Sequence, residues 1–304
     1  MINKPIFNDK DNLVEVSYFD DAGHLAINGD GYARQVNKHN SEGLIIEETY
    51  LGLSGEPVLF KEGYTRVTYE IDSLGRVIEA TYFGLSGEPV LLEEGYARVS
   101  YTRDSLGRII EEAYRGLSDE PILHKEGYAK RKWIFEGDDI YERELRFFGL
   151  HDEPVMKEGE GAVRTWKYAD GHEIESCTYG LNNEPVLAKQ CGYARRVALF
   201  TAISPDERVV ERLFFGVHGE RVTSLLDGSA REFIRNMRQP SEGKEVSDER
   251  YFDLEGKPVL LKKCGYARRI TLSNHSLHTR RTRTFGVNGA PLSDITSPMT
   301  GIEF

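Results

Sequence analysis

Cysteine is scarce in this chain: Cys177, Cys191 and Cys264 are the only three among 304 residues. An odd count this small builds no disulfide framework, so a reducing compartment is the simpler expectation. Long apolar runs are missing as well. No stretch approaches the roughly 20 residues that cross a bilayer, and the opening MINKPIFNDKDN lacks the charged-then-apolar layout of a signal peptide. The chain as it stands reads as cytoplasmic with no membrane partner, and as extracellular if it is a fragment of a larger secreted chain. Positive charge is also short. Thirty-nine Lys+Arg face 50 Asp+Glu, a net charge of −11 that works against a nucleic-acid partner. The deficit is uneven: residues 1–160 balance 18 against 32, or −14, whereas residues 161–304 balance 21 against 18, or +3.

Signatures of chemistry are equally sparse. Asp170, His172 and Glu173 share one turn without a nucleophile beside them. His275 and His278 are three apart, which one strand would send to opposite faces. The glycines follow turns and never the G-x-x-x-x-G-K spacing that cradles phosphate. No catalytic residue, no metal and no cofactor is expected.

What the chain does have is repetition. The stretch Gly63–Glu94, GYTRVTYEIDSLGRVIEATYFGLSGEPVLLEE, recurs along its whole length. Marker glycines at Gly31, Gly63, Gly95, Gly127, Gly161, Gly192, Gly228 and Gly265 are spaced by 32, 32, 32, 34, 31, 36 and 37 residues. Periods in this range belong to solenoids, propellers and arrays. Inside the unit, Tyr64–Ile71 alternates as a strand does, Asp72-Ser73-Leu74-Gly75 is a turn, and Arg76–Phe83 is a second strand. Aspartate leading that turn and glycine ending it suit a type I turn closed by a glycine bulge. Gly84-Leu85-Ser86-Gly87 is a second turn, and Glu88–Leu92 a short third strand. Sustained helical periodicity is absent. The fold class is therefore all-β, an elongated, solenoid-like array of ~32-residue three-stranded antiparallel meanders, with a β-propeller as the alternative. Pairing across Asp72–Gly75 is expected to set Val67 against Ala80 and Tyr69 against Ile78, which leaves Arg66 diagonal to Glu79.

One repeat domain, 1–304, is expected. Residues 1–30 form a partial first unit, in which Asn3–Phe7 reads as a third strand. Residues 31–160 hold regular repeats, 161–292 divergent ones, and 293–304 a tail that fits no unit. The ends are either atypical caps or cuts in a longer array.

The residue after Gly-Tyr-Ala is basic in every unit: Arg34, Arg66, Arg98, Lys130, Arg164, Arg195, Arg231 and Arg268. With glutamates on adjoining strands, a ladder of ion pairs is a better reading of this row than a polyanion site. The tyrosine row (Tyr32, Tyr64, Tyr96, Tyr128, Tyr193, Tyr266) reads either as packing between units or as a platform for sugar rings.

Tyr69-x-x-Asp72-x-x-Gly75-Arg76 and Tyr101-x-x-Asp104-x-x-Gly107-Arg108 resemble the YD repeat of bacterial polymorphic toxins and teneurins, and Asp253-Leu254-Glu255-Gly256 resembles a half-unit of it. The resemblance implies tandem β-hairpins in long spiralling sheets, sometimes closed into a shell around cargo. The 32-residue period and the Glu-Pro-Val element depart from that pattern, and no functional residue carries over.

These features point to a non-catalytic scaffold or binding module, bacterial by its resemblance, that engages a protein or glycan partner of acidic character. The other readings are a self-assembling structural protein, associating head to tail, and a repeat fragment of a larger secreted toxin or surface protein. Near-identical units present only a repeated surface, so a discriminating contact is expected among residues that occur once: Trp166, His172, Arg196, Arg212, His218, Arg235 and Arg238, with the loop Gln239–Lys244.

Overall fold

The computed structural model describes residues 1–138 and 141–298. It is all-β, an antiparallel repeat array as the period predicts. Two compact bodies divide it, one comprising 1–140 and 145–157, the other 141–144 and 158 onward. In the first body run β1 (Ile2–Phe7), β2 (Leu13–Phe19), β3 (Arg34–His39), β4 (Ile45–Leu51), β5 (Arg66–Ile71), β6 (Val77–Phe83), β7 (Arg98–Arg103), β8 (Ile109–Arg115), β9 (Lys130–Phe135) and most of β10 (Glu142–Phe148). Each pairs with the next in chain order. In the second body, β11 (Val163–Ala169), β12 (His172–Tyr179), β13 (Arg195–Ser204), β14 (Glu207–Phe215), β15 (Arg231–Gln239), β16 (Lys244–Phe252), β17 (Arg268–Asn274), β18 (Thr279–Phe285) and β19 (Pro291–Pro298) pair in the same way. A single turn of 3-10 helix, Pro240–Glu242, joins β15 to β16.

The first turn of each regular repeat is built as its residues predict. Asp72 takes the amide of Arg76 onto its side chain, Gly75 donates back to the Asp72 carbonyl, and Gly75 sits at φ +78°. The register beyond the turn corrects the expectation. Val67 faces Tyr82 and Tyr69 faces Ala80, a slip of two residues: the turn sets Ile71 opposite Val77, which is one, and a β-bulge between Glu70 and Ile71 adds the second. An even slip returns every side chain to its expected face, but it removes the Arg66–Glu79 pair. Arg66 binds Glu47 of the preceding repeat at 3.3 Å, and Glu79 binds Arg98 of the following one at 3.3 Å. Arg195, Arg231 and Arg268 likewise pair with an acid of the preceding repeat, Glu175, Glu211 and Asp248, whereas Lys130 pairs with Asp152 of its own repeat and Arg164 with Glu160 just before it.

The third strand of each meander is cut to its minimum, a single bridge such as Phe83 with Pro89. The edge of β6 explains the cut. Tyr82 donates its amide to Ala97 of the next repeat and accepts the amide of Val90 from its own third segment. One edge therefore serves two partners: Glu79–Thr81 pair with β7, and only the end near Phe83 is left for the third segment. The last described hairpin shows the converse. No further hairpin competes for β18 among the described residues, and there Pro291–Pro298 runs as a full strand, β19, along β18; of the tail expected at 293–304, residues 293–298 are strand and 299–304 lie outside the described residues. At the other end Asn3–Phe7 is the first strand of a hairpin with β2, not a third strand. The sequence Glu136-Gly137-Asp138-Asp139 stands where regular repeats have the Asp-x-x-Gly turn, and its Asp139 lies outside the described residues.

The core of the first body is an aromatic ladder. Tyr18, Tyr32, Tyr50, Tyr64, Tyr82, Tyr96, Tyr114, Tyr128 and Phe147 follow one another with centroids 4.8–6.1 Å apart, mostly tilted or edge-on. Contacts of this geometry add about 0.5–1.5 kcal/mol each beyond area burial. The marker tyrosines are thus packing between repeats. Tyr128 is 1% exposed, which removes the sugar-platform reading of that row. The marker position supplies one ring per repeat, the second strand contributes the other, and the two interleave.

Candidate binding site

Two features make the second body differ from the first: longer hairpins and an unmatched step between them. In the first body the strands are six or seven residues long and neighbouring hairpins share three rows, as Glu47–Thr49 do with Arg66–Thr68. The hairpin β11–β12 is still short and closes on Asp170-Gly171, both at positive φ, the geometry of a two-residue I′ turn. The next hairpin is longer, with ten residues in β13 and nine in β14. β12 pairs with β13 only through Glu175–Cys177, opposite Arg195–Val197.

Beyond those rows no strand pairs with Ala198–Ser204 on that side among the described residues, a free edge of seven residues against three (Tyr69–Ile71) in a regular repeat. β14, β15, β16 and β17 are by contrast matched over seven to nine rows. The free edge is therefore local to the step from β12 to β13.

A recess of about 400 Å³ lies at this step. Its wall includes Asp170 and His172 from the short hairpin, Phe200–Ala202 from the free edge, Asp206 from the turn of the longer hairpin, Glu207 and Arg208 from the start of β14, and Asn236 and Arg238 from β15. His172 stacks flat on Phe200, centroids 4.8 Å apart at 15°. Leu199, Phe200 and Ile203 are all exposed, an unusual concentration of apolar groups on one strand end. Arg238 donates its amide to the Asp206 carbonyl while its side chain, 62% exposed, stands 3.6 Å from Glu245. That is the loosest of the arginine contacts here.

Of the residues singled out from sequence, the recess gathers His172 and Arg238. Arg235 reaches it indirectly, through a 2.5 Å ion pair to Glu207. Arg196 is held by Glu173 at 2.6 Å, and Arg212 by Glu232 at 3.0 Å, where burial raises the carboxyl pKa. Trp166 lies on β11 beneath the guanidinium of Arg164, and His218 lies on the second turn of the long hairpin with its amide on Glu220. The structure does not bring these last four into the recess. Phe200 is the residue that sequence reasoning missed. The available signal was the widening of the repeat to 36 residues after Gly192, which lengthens the hairpin and carries its end past its neighbour.

Among the described residues no group of three or more His, Cys, Asp or Glu is placed to hold a metal, and no helix is long and apolar enough to cross a membrane. The three cysteines are unpaired.

No protein-family model matches the chain, and no curated protein matches it. Among solved structures the chain is similar to TcdB2-TccC3 without its hypervariable C-terminal region, with a TM-score of 0.33, 12% identity, and coverage of 97% of this chain and 16% of that one. It is also similar to TcdB2-TccC3-TEV, with a TM-score of 0.27, 11% identity, and coverage of 96% and 17%. The chain thus spans about one sixth of the length of these structures, and TM-scores this low establish no common fold.

Proposed function

We propose that the chain is a non-catalytic binding module in which the regular repeats are frame and the step from β12 to β13 receives an extended segment of a partner protein. The observation that carries this reading is the free edge Ala198–Ser204, paired with β14 on one side and with no strand on the other among the described residues, beside a recess that holds an exposed aromatic and an exposed guanidinium. Strand addition to an open edge draws affinity from main-chain hydrogen bonds and selectivity from pockets for alternate side chains. Here Phe200 on His172 offers the apolar contact. Arg208 and Arg238 favour an acidic segment, in keeping with the +3 balance of residues 161–304.

Peptide binding tests the reading directly. A β-prone peptide alternating Glu with Val is titrated into the full chain by fluorescence anisotropy at two salt concentrations. Binding weakened by salt, reduced at least about tenfold by Phe200→Ala with Arg238→Glu, and unaffected by deletion of Gly63–Glu94 is the expected result. Arg238 is the better position for charge reversal than Arg235, whose ion pair with Glu207 also holds β15 to β14. Binding that follows the deletion and ignores the two substitutions would place the site in the regular repeats.

A further inference from the structure

We infer that the tyrosine ladder of the first body is an electron relay, which takes an oxidising equivalent from a one-electron oxidant at its half-buried rings and delivers it to buried rings that face a carboxylate. Eight tyrosines, from Tyr18 to Tyr128, follow one another through seven ring contacts with centroids 4.8–6.1 Å apart. Electron tunnelling falls steeply with distance, and every step along this row is between rings in contact. In the second body the rings form separate pairs among the described residues, such as Tyr193 with Phe214 and Tyr251 with Tyr266.

Packing does not by itself call for tyrosine at these places. Phe147 stands in its repeat where Tyr50, Tyr82 and Tyr114 stand in theirs, buried and 5.0 Å from Tyr128. Phe214 does the same beside Tyr193 at 4.9 Å. A phenylalanine therefore fits the ladder, and it buries no hydroxyl that must be given a partner. From Tyr18 to Tyr128 the row is nevertheless made of phenols alone, and a phenol is oxidised far more readily than a phenyl ring.

The hydroxyls meet a second requirement. A phenol gives up an electron readily only if its proton leaves as well, to a base within hydrogen-bond reach. Tyr50 donates to Glu48 at 3.0 Å, Tyr114 to Glu112, and Tyr128 to Glu126 at 3.2 Å. These three rings are buried, whereas Tyr18, Tyr82 and Tyr96 are half-buried and open to an oxidant in solvent. The rings that an oxidant reaches are thus distinct from the rings that hold the radical.

An oxidant takes one electron from Tyr96, whose O–H bond breaks and releases its proton to water. Tyr114 then passes an electron across the ring contact to that phenoxyl radical, which regains a proton from water. The O–H bond of Tyr114 breaks, and its proton goes to Glu112. The oxidant is reduced by one electron, and the chain is left with a neutral phenoxyl radical at Tyr114 and a protonated Glu112. From Tyr82 the same exchange through Tyr64 sets the radical on Tyr50 and the proton on Glu48.

The oxidant for the test is photogenerated tris(bipyridine)ruthenium(III), applied to the full chain. Freeze-quench electron paramagnetic resonance reads the long-lived phenoxyl radical. A nitroso spin trap followed by peptide mass spectrometry reads radicals at the accessible rings. Tyr64→Phe with Tyr114→Phe keeps every ring but isolates Tyr82 and Tyr96 from the phenols on either side. The long-lived signal should fall, because two of the three half-buried rings are cut off, and trapping at Tyr82 and Tyr96 should rise. Glu48→Gln, Glu112→Gln and Glu126→Gln combined keep all eight phenols and an acceptor for each hydroxyl but remove the base, and should give the same two changes. Tyr193→Phe with Tyr266→Phe, outside the ladder, should alter neither readout. Circular dichroism should report an intact fold in both phenylalanine variants. A wild type without a long-lived phenoxyl radical, an interrupted ladder with unaltered signal and trapping, or an equal change in the control would each overturn the relay.

Discussion

Single residues decide whether the turns close. Gly75 and Gly107 stand at φ +78° and +86°, where an added Cβ is strained whatever the space around it. The space is also limited: a Cβ on Gly107 would come 2.6 Å from Nη1 of Arg76, and one on Gly75 3.1 Å from Leu44. Gly75→Ala and Gly107→Ala are each expected to lower stability by about 1 kcal/mol or more in urea titration. Unchanged midpoints for both would contradict the turn assignment.

His124 takes the place in its repeat that Phe60 takes two repeats earlier, packed 5.0 Å from Tyr114 and 5.2 Å from Tyr128. Burial lowers its pKa, although Glu126 nearby pulls the other way. As pH falls below the ordinary histidine value, the unfolded chain takes up a proton before the folded one does, so stability is lost on acidification. His124→Phe should remove that loss, seen as a melting temperature that falls less between pH 7 and pH 5 than in wild type.

Ion pairs differ by burial. Asp248 is 6% exposed and holds Arg250 at 2.7 Å and Arg268 at 2.8 Å, whereas Glu158 and Lys189 pair on the open surface. Asp248→Ala is expected to cost about 1.5–3 kcal/mol through the loss of its charge-assisted hydrogen bonds, since Arg250 and Arg268 remain partly in water. Glu158→Ala should leave stability nearly unchanged, since water and salt screen a pair this exposed. Equal effects in thermal unfolding would refute this ranking.

At the scale of the element, the governing rule is the sharing of one strand edge between a repeat's own third segment and the hairpin that follows. It accounts for third segments of one bridge inside the array and for the full-length β19 beside β18. Truncation after Ala290 should therefore raise hydrogen exchange in Thr279–Phe285, with little change in β15 and β16. Unaltered protection in β18 would count against the rule.

The turns were legible in the sequence because Asp and Gly at fixed places leave few backbone choices. The register was not. The bulge at Glu70 and Ile71 carries no residue signature of its own, and so a pair drawn within one hairpin, Arg66 with Glu79, belongs to two different junctions. The second tyrosine of each repeat went unread for a related reason. Its role appears only when the edge of one hairpin is laid against the next.

For the whole molecule, regularity and irregularity have separate uses. Strict period gives the first body a ladder of rings and cross-repeat ion pairs in which any repeat resembles its neighbour. Loosened period gives the second body its longer hairpins and its one unmatched step. Singularity singles out His172 and Arg238, which line the recess, but equally Arg196 and Arg212, which ion pairs hold in place outside it. Phe200 was invisible because an aromatic on a strand reads as core until its neighbour is known to stop short.

The account therefore rests on the free edge of β13. Amide hydrogen exchange across Ala198–Ser204 in the full chain, with and without the acidic β-prone peptide, tests it most directly. Fast exchange in the free protein at those amides of Ala198–Ser204 that point away from β14, slowed by the peptide while the regular repeats are unaffected, is the predicted result. Outward amides already protected without peptide, or protection that appears in Arg34–Phe148 instead, would contradict it.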